Sequence, residues 1–245
     1  MASTSETGHA KNVANFESMI SICEGYGSAY NPSKNAIKIT QLKSLLENAK
    51  NAMSAVNTAK TAYDNASNAR EIGFTNLRKL CTRLVNALDA SEASDQIVKD
   101  AKTINRKIQG SRAKTKTAST TTAEQPQEPR QISVSQLSFD SQVDNFGKLI
   151  TLVASEPSYA PNEAELQVST LNATLENLKS LNNAVINAKT QYDNAIIARN
   201  KALYNANTGI VDTALEVKKY VKSVFGASDP NYKQISGLKF TRTKK

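Results

Sequence analysis

The sequence predicts an all-α fold: an elongated helical bundle or coiled coil built from a tandem duplication of a short helix plus a long helix. Three observations carry this. Between Ser33 and Ala90 there is no proline and one glycine, Gly73, while apolar residues recur in a seven-residue frame. Its d positions are Leu42, Ala49, Val56, Tyr63, Arg70, Leu77 and Leu84. Next, the stretch Ala59–Arg70 returns as Ala188–Arg199, 129 residues later and in the same frame, and Tyr30–Arg70 matches Tyr159–Arg199 without gaps at 18 of 41 positions. Shared composition alone would not keep the frame, so this points to an internal duplication. Lastly, aromatic residues make up 6% of the chain and tryptophan is absent, which suits long helices with a narrow apolar stripe.

The elements follow in order. Residues 1–10 are small and polar and are expected to be disordered. The first repeat occupies residues 11–109. Val13, Phe16, Met19, Ile20 and Cys23 recur at three- and four-residue steps, predicting a short helix from Lys11 to Cys23 that Gly25 and Gly27 end. The long helix follows, and Ile97, Ala101, Ile104 and Ile108 mark a returning helix from Asp95. Residues 110–138 are rich in Ser, Thr, Lys and Gln, with Pro126 and Pro129, and read as a flexible basic linker. The second repeat, 139–226, opens on a short helix from Phe139 to Ala154 with Asp140 as its N-cap. Asn162 and Glu165 resemble a capping box for the second long helix, which should run to about Phe225 and stop at Gly226, Asp229 and Pro230. Residues 227–245 form a basic tail. Ala55, Ala59, Ala66 and Ala69 recur as Ala184, Ala188, Ala195 and Ala198, small residues that let a further helix approach closely.

Charge and chemistry narrow the function classes. The net charge is +9, gathered at residues 99–130 and 218–245, each with eight Lys or Arg. Within the seam, Lys60 and Lys189 take a positions and Arg70 and Arg199 take d positions. Asp64 and Asp193 follow the lysines by four residues, within reach of an ion pair. The expectation is a polar layer of Lys60, Asp64, Arg70, Lys189, Asp193 and Arg199 that sets helix register at a cost in stability. Binding of an anion at this layer is the competing reading. No catalytic residues, cofactor or metal site is expected. The single histidine, His9, sits in the polar start, and no phosphate-binding or metal motif is present. Cys23 and Cys81 lie among apolar residues and read as buried free thiols, which favours a reducing, cytoplasmic location. No apolar run approaches the length of a membrane span.

The leading function class is therefore a non-enzymatic structural or scaffold protein that uses its helices to bind a protein partner or itself. The alternative is a nucleic-acid-associated protein with phosphate contacts at Arg112, Lys114, Lys116, Lys239, Arg242, Lys244 and Lys245. No aromatic platform is interleaved with the linker cations. The stretch Lys233-Gln234-Ile235-Ser236-Gly237-Leu238-Lys239-Phe240-Thr241-Arg242, together with the paired long helices, resembles uncharacterised bacterial helical proteins that end in a similar Gly-Leu-Lys-Phe segment. The resemblance rests mainly on residues 140–242 and implies an all-helical fold with no assigned activity.

Overall fold

The computed structural model describes residues 8–110 and 137–242. Most of the expected disordered start, most of the linker and the last three residues lie outside the described residues. The described chain is all-α, with no strand among the described residues: α1 (His9–Gly25), α2 (Ile39–Phe74), α3 (Leu77–Asp89), α4 (Asp95–Gln109), α5 (Phe139–Ala154), α6 (Val168–Tyr204), α7 (Ile210–Phe225) and α8 (Pro230–Ser236). No helix among the described residues is long and apolar enough to cross a membrane.

Local chemistry accounts for the helix ends. Ser94 Oγ caps α4 by accepting from the Ile97 N–H, Asp95 sits in the first turn and Arg106 and Lys107 in the last, complementing the helix dipole. Gly110 closes α4 in the left-handed region at φ 73°. Ser138, not Asp140, caps α5: its Oγ accepts from Ser141 N–H at 3.2 Å, while Asp140 stands in the first turn. The expected capping box at Asn162 and Glu165 also gives way. α6 begins later, at Val168, behind a 3-10 turn over Ala164–Leu166, and Glu165 pairs with Arg83. Asp229 caps α8, accepting from Asn231 N–H at 2.7 Å, with Pro230 in the first turn where its missing N–H costs nothing.

Neither long segment is one continuous helix. The first breaks after Phe74 at a turn over Thr75 and Asn76. The second breaks after Tyr204, where Asn207 takes φ 63° and Gly209 N–H bonds back to Asn205 O at 2.8 Å. A seven-residue pattern persists across such a corner because α3 and α7 each restart on an inward apolar residue, Leu77 and Ile210.

The chain divides into two compact units, and each takes residues from both halves of the sequence. Unit 1, Met1–Tyr63 with Ala188–Lys245, holds α1, the first part of α2, the last part of α6, α7 and α8. Its core includes Phe16, Met19, Leu42, Leu203, Val217 and Ile235. Unit 2, Asp64–Asn187, holds the rest of α2, α3, α4, α5 and the first part of α6 around Cys81, Leu84, Leu88, Ile108, Phe146 and Leu171. Within unit 1, the C-terminal end of its α2 portion meets the N-terminal end of its α6 portion where Tyr63 stacks on Tyr192. Each unit also carries one buried tyrosine bridging the loop that leads into its long helix. Tyr30 Oη donates to Ile37 O at 2.7 Å in unit 1, and Tyr159 Oη to Leu166 O at 2.8 Å in unit 2.

Candidate functional site

The polar residues expected within the seam fall in two settings. In unit 1 the rings of Tyr63 and Tyr192 lie 6.1 Å apart and nearly parallel, at 7°. Offset stacking of this kind fills the space between two helices while leaving the hydroxyls near water. Lys60 and Lys189 are exposed at its edge, so the lysines stand outside the seam rather than within it. The physical reason is that burying an ammonium costs several kcal/mol unless its partner geometry is excellent, and half-buried tyrosines occupy the central positions instead. Lys189 Nζ reaches Asp193 Oδ1 at 2.5 Å along the helix. The hydrogen bond that Lys189 donates to the Asp193 carboxylate holds the lysine above its ordinary range. Asp64 is half-buried in unit 2.

The arginines differ. Arg199 is half-buried in unit 1 and donates to Asn200 Oδ1 at 2.9 Å. Its charge faces His9, whose Nδ1 lies 2.7 Å from Tyr204 Oη. Burial first, and Arg199 second, push the imidazole below its ordinary value. Arg70, at the equivalent point of the first long segment, lies in unit 2 with its guanidinium 4.1 Å from the centre of the Phe139 ring. Its Nε is buried without a hydrogen-bond partner. Of the six residues of the expected polar layer, Lys60, Lys189, Asp193 and Arg199 belong to unit 1 and Asp64 and Arg70 to unit 2.

Of the expected phosphate contacts, Arg112, Lys114, Lys116, Lys244 and Lys245 lie outside the described residues. Lys239 is exposed, and Arg242 is engaged by Asp212 at 2.5 Å. The hydrogen bond from Arg242 and one from Asn207 N–H hold the Asp212 carboxyl below the usual carboxylate range. Both cysteines are buried free thiols, and burial pushes each up to about 12. Thiols held in that form are poor nucleophiles at neutral pH. Among the described residues, no three His, Cys, Asp or Glu side chains converge on a metal-sized cluster.

Two features escaped the sequence reading. Unit 2 has an open groove of about 460 Å³ lined by Leu77, Leu80, Leu178, Thr170, Arg83 and Glu165, among others. Nothing in the spacing of these residues announces it, because they come from helices far apart in sequence. In unit 1, Asn12 and Asn15 are buried on the inner face of α1 and bond to the backbone of residues 239–241. Their signal was present: two asparagines interrupt the apolar stripe of Val13, Phe16 and Met19. Compared with protein-family models, with curated proteins and with solved structures, the chain matches none.

Proposed function

We propose that this chain is a non-enzymatic scaffold that associates with itself, or with a protein partner, through its amphipathic helices, and that it arose by tandem duplication of a coiled-coil-like repeat. The observation that carries the scaffold reading is the exposure of large β-branched side chains on the long helices. Ile72 and Ile186 in unit 2 are 75% and 56% exposed, and Ile197 in unit 1 is 65% exposed. Single exposed apolar residues are ordinary. Three isoleucines on outward faces otherwise built from Asn, Lys, Thr and Ala favour a contact surface. The duplication is supported by the paired tyrosine bonds of Tyr30 and Tyr159, and by Phe16 and Phe146, both fully buried at matched places in α1 and α5.

Sedimentation equilibrium tests the scaffold reading. The expected result is concentration-dependent association that weakens at least tenfold when Ile72, Ile186 and Ile197 are all changed to Lys, with helix content unchanged. A chain that stays monomeric, and whose co-purifying proteins are the same with and without the three substitutions, would sink it.

A further inference from the structure

We propose that the outer side of α7, α8 and residues 237–242 in unit 1 is a docking surface for the phosphate backbone of a nucleic-acid duplex, bound without regard to base sequence. Such binding does not depend on the self-association proposed above.

Charge is divided unequally between the units. Unit 1 holds seventeen Lys or Arg against eight Asp or Glu, and unit 2 holds fourteen of each, so the whole net charge of +9 belongs to unit 1. Most of its carboxylates are already engaged. Glu17 pairs with Lys50, Glu24 with Lys43, Glu216 with Lys34, Asp193 with Lys189 and Asp212 with Arg242, while Asp229 caps α8. Among the described residues no ion pair reaches Lys219, Lys222, Lys233 or Lys239, and all four are exposed. The fold gathers them. Lys219 and Lys222 share an outward stripe of α7 with Leu215 and Ser223, turned away from the buried Ala214, Val217 and Val221. Lys218, one turn before Lys222, is half-buried and donates to Ser236 O at 3.1 Å and to Leu238 O at 2.5 Å, which holds the end of α8 alongside α7. The tail then runs back along α7, because Arg242 reaches Asp212 in the first turn of that helix. Lys233, in the last turn of α8, and Lys239, between the inward Leu238 and Phe240, thus stand on the two segments laid against α7.

The make-up of this surface selects the partner. Its cations are lysines, compact point charges that suit phosphate, whereas base edges are read by the forked donors of arginine, asparagine and glutamine. Arg242, the arginine of the tail, is held by Asp212. The nearby rings are turned to one another or to the core: Tyr26 packs on Phe225, Tyr220 on Tyr30, and Phe240 lies under the Lys218 ammonium. They leave no platform on which unpaired bases stack. A membrane surface requires a continuous apolar face to bury. The two exposed apolar residues of α7, Leu215 and Val224, are nine positions apart and so point to opposite sides of the helix. A duplex, with one phosphate charge per about 1.7 Å of its axis, matches clustered lysines that carry no other means of recognition. Scattered surface lysines need no partner; these are the uncompensated cations of the one unit that holds the chain's entire charge surplus, gathered on adjoining segments.

Fluorescence anisotropy of labelled DNA and RNA duplexes of unrelated sequences, titrated with the full chain, tests this. Either duplex binding supports the proposal, and the tighter of the two identifies the kind of duplex. Affinity should vary little with sequence and fall roughly a hundredfold between about 50 and 200 mM salt, as four phosphate contacts imply. Lys219→Gln, Lys222→Gln, Lys233→Gln and Lys239→Gln together should weaken binding by about tenfold or more and remove most of the salt dependence. All four side chains are exposed, so the melting temperature should not move. Arg78→Gln, Lys79→Gln, Lys99→Gln and Arg106→Gln together, the same loss of charge from exposed positions of unit 2, should weaken it by less than about threefold. Equal losses from the two sets would overturn the proposal, as would single strands that bind as tightly as duplexes. So would the absence of duplex binding at about 50 mM salt. Binding to phosphatidylserine vesicles without binding to duplexes would overturn it in favour of a membrane surface.

Discussion

Burial decides the chemistry of single residues here more than charge does. Cys23 and Cys81 sit in the two cores with thiols moved from about 9 to about 12. Tyr30 and Tyr159 are pushed up by the same desolvation, Tyr159 to about 12. For each thiol the folded value lies above the unfolded one. The stabilising contribution is therefore complete below about pH 9 and is lost as pH rises toward 12. Its ceiling is on the order of 4 kcal/mol per thiol, since each tenfold difference in acidity between the folded and unfolded chain is worth about 1.36 kcal/mol. The expected outcome is a melting temperature flat through neutral pH that falls steadily above about pH 9, together with negligible alkylation of the native protein at pH 8 and full alkylation in denaturant. Replacing both residues with Val should flatten part of the alkaline decline. Val153 already occupies the place in α5 that Cys23 holds in α1, so a core of this kind accepts the substitution. Rapid labelling of the native thiols would contradict the burial on which this rests.

At the scale of elements, the corners separate what was legible from what was not. Periodicity identified the inward residues: Leu42, Ala49, Val56, Leu77 and Leu84 are all buried at the expected positions. α5 begins and ends where its pattern says. The breaks after Phe74 and Tyr204 were hidden because a heptad count does not encode a change of direction. Lys60 and Lys189 are exposed at their frame positions because a frame position is not a burial measurement, and the neighbouring Tyr63 and Tyr192 are half-buried against each other. Glycine marks both corners, with different constraints. A Cβ on Gly209 would lie 2.8 Å from the Leu203 carbonyl carbon and 2.7 Å from Asn205 N, both backbone atoms that cannot turn aside. On Gly73 its one close contact would be Leu181 Cδ1, the free end of a flexible side chain, with Leu178 Cδ2 at an ordinary 3.8 Å. Gly209→Ala should therefore cost about 1–3 kcal/mol in urea unfolding, as overpacking does. Gly73→Ala should stay within about 1 kcal/mol of neutral, because the gain in helix propensity offsets the rearrangement of Leu181. Equal effects at the two sites would show that the α6–α7 corner is looser than its close contacts imply.

At the scale of the whole molecule, the two compact units and the two halves of the sequence do not coincide. Asn12 and Thr241 pair across 229 residues, and no sequence pattern links positions so far apart. Fold class was legible because helices are local. Unit membership was not, because it depends on which half of a long helix meets which partner. Unit 1 needs α1 and the first part of α2 from one half of the sequence, and α7 and α8 from the other. Unit 2 needs α3 and α4 from the first half and α5 from the second. A fragment of residues 1–110 or of residues 137–245 thus carries only part of each core, leaving Phe16 without Val217 in one case and Phe146 without Leu84 in the other. Alone and dilute, each fragment should show helix without a cooperative melt. Mixed at equal concentration, the two should regain cooperative melting, read by circular dichroism, as a one-to-one complex. A cooperative melt from either fragment as a monomer would show that one half is a domain in its own right. A fragment that instead folds as a dimer of itself would have substituted one copy of the repeat for the other, the behaviour expected if both halves descend from one ancestral helix pair.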